Sequence, residues 1–267
     1  MFLAEDVLRD RPITLTLIRG IHRELMASVR GRDKAPGAFR TEQNWIGSQG
    51  CTMAQARYVP PSPLEMRDAL DNFESYLAMS TDDPLVQIAI AHAQFEIIHP
   101  FMDGNGRVGR ILIPLYLLQR QLLRSPAFYV SEDLEARREE YYDRLLAITR
   151  DGDWEGWIAF FLEAVTRQAE LNASRARRMF VLYEEMKVAF AKATRSQYVI
   201  QALDAAFSRA FFASTTFSAT SGIPKATAAR MLAQLVDAGL LRLVAEGSGR
   251  SPSVYAFEKL LAVTESK

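Results

Sequence analysis

Between positions 99 and 110 the chain reads His99-Pro-Phe-Met-Asp103-Gly-Asn105-Gly-Arg107-Val-Gly-Arg110. Gly104 and Gly106 permit positive φ and let a ligand approach the backbone closely. They stand just ahead of a helix start, where successive backbone N–H groups and the helix dipole make an anion site. Arg107 and Arg110 are three apart, so both project from one helix face and can grip phosphate oxygens bidentately. Asp103 adjoins that nest, and a lone carboxylate beside phosphates suits a hydrated Mg²⁺. His99, just upstream, has the side chain of a general base. A lone Gly-x-Gly is most often a structural turn. Base, carboxylate, phosphate nest and two arginines within twelve residues imply phosphoryl or nucleotidyl transfer.

These residues need elements to hold them. Asp83-Pro84 reads as a helix start, because Asp caps and Pro suits the first helical position. Leu85 to Ile98 is almost wholly apolar and predicts a buried central helix. It stops at His99-Pro100, since proline disfavours helical geometry in the residue before it. A second apolar helix is expected over 107–123, with Pro114 freeing the Arg110 carbonyl and bending it. Ile13 to Leu25 and Leu64 to Ala78 also read as helical, as do 132–150, 154–172 and 174–193. Residues 31–63 carry four glycines and four prolines around short runs such as Asn44-Trp-Ile46 and Ala56-Arg-Tyr-Val59, which predicts a loop with a β-hairpin. The tail predicts helices at 196–209, 217–222 and 224–241. Leu241–Val244 would then pair with Ser253–Phe257 as a hairpin. Three helices and a hairpin are the pattern of a winged helix-turn-helix.

The chain has 267 residues, 49% apolar and 24% charged, with 32 Lys+Arg against 32 Asp+Glu. That composition excludes a disordered chain. A zero net charge argues against non-specific coating of nucleic acid or membrane. Cys51 alone permits neither an intrachain disulfide nor a cysteine-based zinc site. The start shows no secretory signal, and no apolar run approaches the roughly 18 residues of a membrane span. A cytoplasmic protein of a reducing compartment is the expectation. The zero charge is a sum. Residues 171–267 hold 13 Lys+Arg and 7 acids, so the tail is basic and the body acidic. That asymmetry suggests an anionic partner for the tail, against the plainer reading of an ordinary solvated surface.

The run 99–110 matches at every fixed position the pattern HxFx(D/E)GNGRxxR, and the chain thereby resembles the Fic family. Pro36-Gly-Ala-Phe-Arg40, Gln43-Asn-Trp-Ile-Gly47 and Tyr58-Val-Pro-Pro61 look like the family's flap. Phe128-Tyr-Val-Ser131, Arg137, Tyr141-Tyr142 and Asp151-Gly-Asp-Trp154 through Phe161 look like its later segments. The resemblance covers about 12–172 and implies a mainly α Fic fold with a β-hairpin flap, followed by a small winged-helix domain. It implies a catalytic domain over 1–172, with flap 43–58 and motif 99–110, a linking helix over 173–195 and a winged helix-turn-helix over 196–267.

The activity so implied is adenylylation, the movement of AMP from ATP to a Ser, Thr or Tyr hydroxyl of a protein, the chain itself included. His99 would take the hydroxyl proton and Asp103 would hold Mg²⁺. Gly104, Asn105 and Gly106 would bind the α-phosphate, with the Asn105 side-chain amide as an added donor. Arg107 and Arg110 would bind the β- and γ-phosphates. Phe101 would anchor the loop. Tyr141 and Tyr142 would border the adenine, with helix packing as the alternative. The target protein would align along flap 43–58 by strand addition. His22 is expected to pack or to face solvent on its helix, His92 to be a hydrogen-bonded core histidine, and Cys51 to be incidental. Many relatives carry an inhibitory helix of pattern (S/T)xxxE(G/N). Glu155-Gly156, Glu246-Gly247 and Ser131 with Glu135 all fail that pattern, so a short form without its intrachain brake is expected. Relatives also pair, so a homodimer is a further expectation. Two other functions compete. One is Fic-type transfer from another donor, such as UMP, phosphocholine or phosphate transfer, which the retained Gly104-Asn105-Gly106 disfavours. The other is DNA-binding regulation through Thr227, Arg230 and Arg250, with protein contacts as the alternative use of that domain.

Overall fold

A computed structural model describes residues 12–27, 35–80, 83–125, 128, 130–248 and 251–265. The chain divides into two compact units, Met1–Ala169 and Glu170–Lys267.

The first unit is helical. Its elements are α1 (Leu15–Ala27), α2 (Pro63–Ala78), α3 (Pro84–Ile98), α4 (Asn105–Gln119), α5 (Ser131–Ala136), α6 (Arg138–Asp151) and the first turns of α7 (Trp154–Thr194). Helix α2 begins on a capping box. Ser62 Oγ accepts from the Glu65 N–H while Glu65 Oε2 accepts from the Ser62 N–H at 2.9 Å, so two orphan donors are satisfied reciprocally. Helix α3 begins as expected on Asp83-Pro84. Asp83 Oδ1 accepts from the N–H groups of Leu85 and Val86 at 3.2 and 3.1 Å. Ile88, Ala89, Ala91, Ala93 and Phe95 of α3 are all buried, so this helix is the axis of the core. Around it pack Phe73 of α2, Tyr116 of α4, and Trp157 and Phe161 of α7.

The boundaries depart from expectation in ways that have physical causes. Helix α4 starts at Asn105 rather than 107, because Gly104 at φ 82° turns the chain straight into it. Pro114 stays inside the helix, and the stop comes where Gln121 takes φ 59°. There the Gln121 and Leu122 N–H groups close back onto the carbonyls of Leu118 and Leu117, a left-handed cap. The helix expected over 132–150 is two, divided at Arg137. Its guanidinium is held by Asp133 and Glu163 and lies over the Phe160 ring. The helices expected over 154–172 and 174–193 are one, since neither glycine nor proline interrupts the chain between them.

The second unit contains the end of α7, then α8 (Val199–Phe207), β1 (Phe211–Ala213), α9 (Ser214–Ser221), α10 (Lys225–Asp237), β2 (Arg242–Ala245), β3 (Val254–Ala256) and α11 (Glu258–Glu265). The strands form an antiparallel sheet in the order β1-β3-β2. Phe212 pairs with Tyr255, and Leu243 pairs with Tyr255 on the other side, with a bulge between Leu243 and Ala245. Leu203, Phe217, Met231, Leu235 and Phe257 fill its core. Strand β1 and helix α11 went unread, being too short to show periodicity. Arg250 lies outside the described residues. Among those residues no helix is long and apolar enough to cross a membrane.

Candidate active site

His99 is the C-cap of α3, at φ 50° and ψ 60°. A left-handed, non-glycine residue must be held by its surroundings. Its N–H donates to the Phe95 carbonyl at 3.0 Å, and its own carbonyl accepts from Arg40 Nε at 3.0 Å. His99 Nδ1 lies 3.4 Å from the Glu96 carbonyl. A carbonyl only accepts, so the ring proton sits on Nδ1 and leaves the Nε2 lone pair available. Burial lowers the His99 pKa to about 4; the Arg40 charge pushes the same way, and the Glu96 carbonyl and Asp103 oppose it. At neutral pH the imidazole is therefore unprotonated, the form a base needs.

The loop after His99 is tied down from inside. Phe101 is fully buried and stacks on His22, with ring centroids 3.8 Å apart and planes within 7°. Asn105, 2% exposed, accepts from the Phe101 N–H at 2.8 Å and donates to the Phe101 carbonyl at 2.7 Å. The structure thus spends the Asn105 side chain on the loop's own backbone. His22 is the residue that sequence reasoning left as mere packing. Its Nδ1 accepts from the Gly37 N–H at 2.8 Å, so Nε2 carries the proton and donates to the Asp103 carbonyl at 3.0 Å. Burial lowers its pKa, keeping it neutral in this role.

The Asp103 side chain stays half exposed, its Oδ1 accepting from the Gly104 N–H at 2.6 Å and lying 3.6 Å from Arg107 Nη2. Gly104 is the N-cap of α4, and the first-turn N–H groups beyond it have no acceptor within the helix. A Cβ on Gly104 would meet Met26 Sδ at 3.2 Å and His22 at 3.5 Å, in a backbone conformation that side chains disfavour. Gly104→Ala is therefore expected to cost about 1–2 kcal/mol. Chemical denaturation of the two proteins measures it, and equal midpoints would show that the turn relaxes freely.

Arg110 lies beside Gly106, one of its guanidinium nitrogens 3.2 Å from where a Gly106 Cβ would stand. Facing it is Glu96, 8% exposed, whose Oε1 is buried without a hydrogen-bond partner among the described residues. Burial raises the Glu96 pKa to about 7, with the Arg110 charge opposing. His92 is in the core: Nδ1 lies 3.2 Å from the Gly109 carbonyl and Nε2 lies 3.0 Å from the Tyr141 hydroxyl. Tyr141 is 5% exposed and packs among His92, Trp157 and Phe160, which is the helix-packing alternative for that residue. Tyr142 instead lines a small pocket with Ile46, Arg57, Tyr58, Glu96, Ile97 and Leu145.

Residues 43–58 form that pocket's outer wall. Ile46 and Tyr58 exchange backbone hydrogen bonds at 2.9 and 3.1 Å as a one-rung antiparallel bridge. Arg57 ties this segment to α6, bonding Glu139 at 3.1 Å and Asp143 at 2.8 Å and lying over the Tyr142 ring. Cys51 accepts from Trp45 Nε1 through its carbonyl only. Among the described residues no group of three or more His, Cys, Asp or Glu could hold a metal alone. The half-exposed Asp103 carboxylate is compatible with a hydrated hard cation such as Mg²⁺, which it would hold together with a ligand's phosphates.

Residues 12–117 match the Fic/DOC family. The chain is 30% identical over 162 residues to the protein adenylyltransferase Fic of Aedes aegypti, a match covering 60% of this chain and 29% of that protein. It is 26% identical over 173 residues to the protein of the same name from Drosophila melanogaster, covering 64% and 32%. The matched stretch therefore spans about a third of these relatives. A crystal structure of a Fic family protein from Desulfovibrio desulfuricans G20 superposes with a TM-score of 0.55 over 96% of this chain and 72% of that one, at 21% identity. The likeness is one of fold.

Proposed function

We propose that the chain is a protein adenylyltransferase that moves AMP from ATP to a hydroxyl of a protein Ser, Thr or Tyr. One observation carries this reading: an unprotonated, left-handed His99 stands four residues before a carboxylate, and that carboxylate opens into a glycine-capped helix bearing Arg107 and Arg110. His99 Nε2 takes the proton of the acceptor hydroxyl as its oxygen attacks the α-phosphorus. The bond from that phosphorus to the bridging oxygen breaks, and pyrophosphate leaves with the electron pair. The first-turn N–H groups of α4, at Asn105 and Gly106, receive the α-phosphate. Arg107 and Arg110 hold the β- and γ-phosphates. Mg²⁺ bound at Asp103 would neutralise phosphate charge. The pocket beside Tyr142 takes the base, and Tyr141 packs edge-on against the Tyr142 ring. Catalysis here is positioning and charge stabilisation, with no covalent enzyme intermediate.

The decisive experiment is mass spectrometry of the purified protein after incubation with ATP and Mg²⁺. A gain of one AMP establishes the reaction, and a gain from UTP or CDP-choline instead would transfer the reading to another donor. The pH profile adds a second check. With His99 protonating only near pH 4, kcat/KM for ATP is expected to hold level from pH 8 to about 5 and to fall below that. A fall centred near 6.5 would point to a base in ordinary water-like surroundings.

The second unit supports an additional reading as a nucleic-acid contact. Three helices with a small antiparallel sheet, on a stretch with six more basic than acidic residues, fit a winged helix-turn-helix whose helix α10 exposes Lys225 and Arg230. If so, the full chain should shift a DNA fragment at low salt, with affinity falling steeply as salt rises. A salt-independent interaction, or none, would assign this unit to protein contacts.

A further inference from the structure

Arg40 is 3% exposed, and none of the ion pairs among the described residues gives it a carboxylate. A buried guanidinium is costly unless its donors are met. Here backbone carbonyls meet them. Nε donates to the His99 carbonyl at 3.0 Å, Nη1 to Glu42 at 3.2 Å, and Nη2 to Pro61 and, at 3.5 Å, to Ile98. The Arg40 backbone N–H donates to the Pro100 carbonyl at 2.9 Å. Two of these acceptors end helix α3, where a cation also meets the negative pole of the helix dipole. Glu42 and Pro61 are the two feet of flap segment 43–58. One planar side chain thus touches the backbone of the base and both ends of the flap.

The neighbouring bonds extend the pattern. The Tyr58 hydroxyl donates to the Ile97 carbonyl at 3.1 Å, and Asn44 Nδ2 donates to the Phe101 carbonyl at 3.0 Å. Five successive carbonyls, from Ile97 to Phe101, therefore accept from residues 40–58. Arg40 serves the middle three and is the only member of the set that also grips the flap's feet.

We propose that Arg40 is a positioning residue for the transfer step, fixing His99 against the flap along which an acceptor chain lies. This rests on the reading of His99 as the base. A shift of about 1 Å in such an alignment can cost about 10²-fold. The donor's phosphates bind elsewhere, on α4, so loss of Arg40 slows the step at saturating ATP and spares ATP affinity. Lysine offers a single ammonium that reaches some of these carbonyls but lacks the planar fork to span them.

The test compares His99→Ala, Arg40→Met and Arg40→Lys with the native chain. It uses radiolabelled ATP with Mg²⁺, self-modification as readout, and separately measured ATP dissociation constants. The expected result is that Arg40→Met transfers at least about 10-fold more slowly, Arg40→Lys lies between it and native, and both bind ATP within about 2-fold of native. Arg40→Met at native speed overturns the proposal. So does loss of ATP affinity in proportion to rate, which a merely structural residue would give. Should Arg40→Met fail to fold, Arg40→Lys decides alone: reduced rate with unchanged ATP affinity supports the proposal, and native rate overturns it. An active His99→Ala would remove the base itself and is read separately.

Discussion

His99→Ala is expected to leave ATP affinity within a few-fold of native and to slow AMP transfer by about 10²–10⁴-fold, the usual contribution of one general base. The groups proposed to bind the phosphates, the first-turn N–H groups of α4 with Arg107 and Arg110, follow the loop in sequence and are untouched by the change. In the proposed reaction the imidazole acts through Nε2, on the acceptor hydroxyl. Its Nδ1 faces the Glu96 carbonyl and needs no charged partner, so its removal opens a small polar gap rather than a buried charge. Circular dichroism and thermal melting should therefore match the native chain. Transfer at an undiminished rate with native ATP binding would falsify the assignment of His99, and would send the search for a base elsewhere in the loop.

Trp157→Ala carries the largest expected cost to stability, about 3–5 kcal/mol, by the loss of transfer energy and the cavity left behind. Trp157 is fully buried and donates through Nε1 to the Ala89 carbonyl at 2.8 Å. Around it stand Tyr141, Phe160, Phe161 and His92, with centroids 5.7 to 6.1 Å away. The indole pins the first turns of α7 to the central helix, and through His92 it stands behind the Gly109 stretch of α4. Urea unfolding of the first unit measures the loss. A cost under about 1 kcal/mol would mean that the surrounding rings collapse into the space. Trp157→Phe, which keeps most of the volume but not the donor, should fall between the two.

The twelve-residue run could be picked out as a candidate site because its case rests on side-chain types and their spacing. The start of α3 was legible for the same reason, since Asp83 and Pro84 each act where they stand. Arg40 and His22 were not. They reach carbonyls 59 and 81 residues away, and a carbonyl belongs to every residue, so no spacing rule announces the match. Asn105 shows the converse. The family resemblance makes its amide a ligand donor, and only the fold reveals that Phe101 claims it. Tyr141 and Tyr142 are adjacent and alike in sequence. One helical step of 100° sends the first into the core beside His92 and the second to the pocket wall. The long α7 was read as two helices because its buried residues come in two separate groups: Trp157, Phe161 and Ala164 serve the first unit's core, Leu182, Met186 and Phe190 serve the second's, and no residue over 169–181 is buried.

The buried carboxyl of Glu96 constrains what may follow it in descent. A Cβ on Gly109 would collide with Glu96 Oε1 and come within 3.2 Å of Phe95 Cδ1 and 3.3 Å of His92 Cε1. Helices α3 and α4 approach so closely there that one hydrogen atom at position 109 is all the carboxyl leaves room for. Shortening residue 96 would lift the collision with Oε1 but leave the Phe95 and His92 rings in place, so a larger residue at 109 needs all three neighbours to yield.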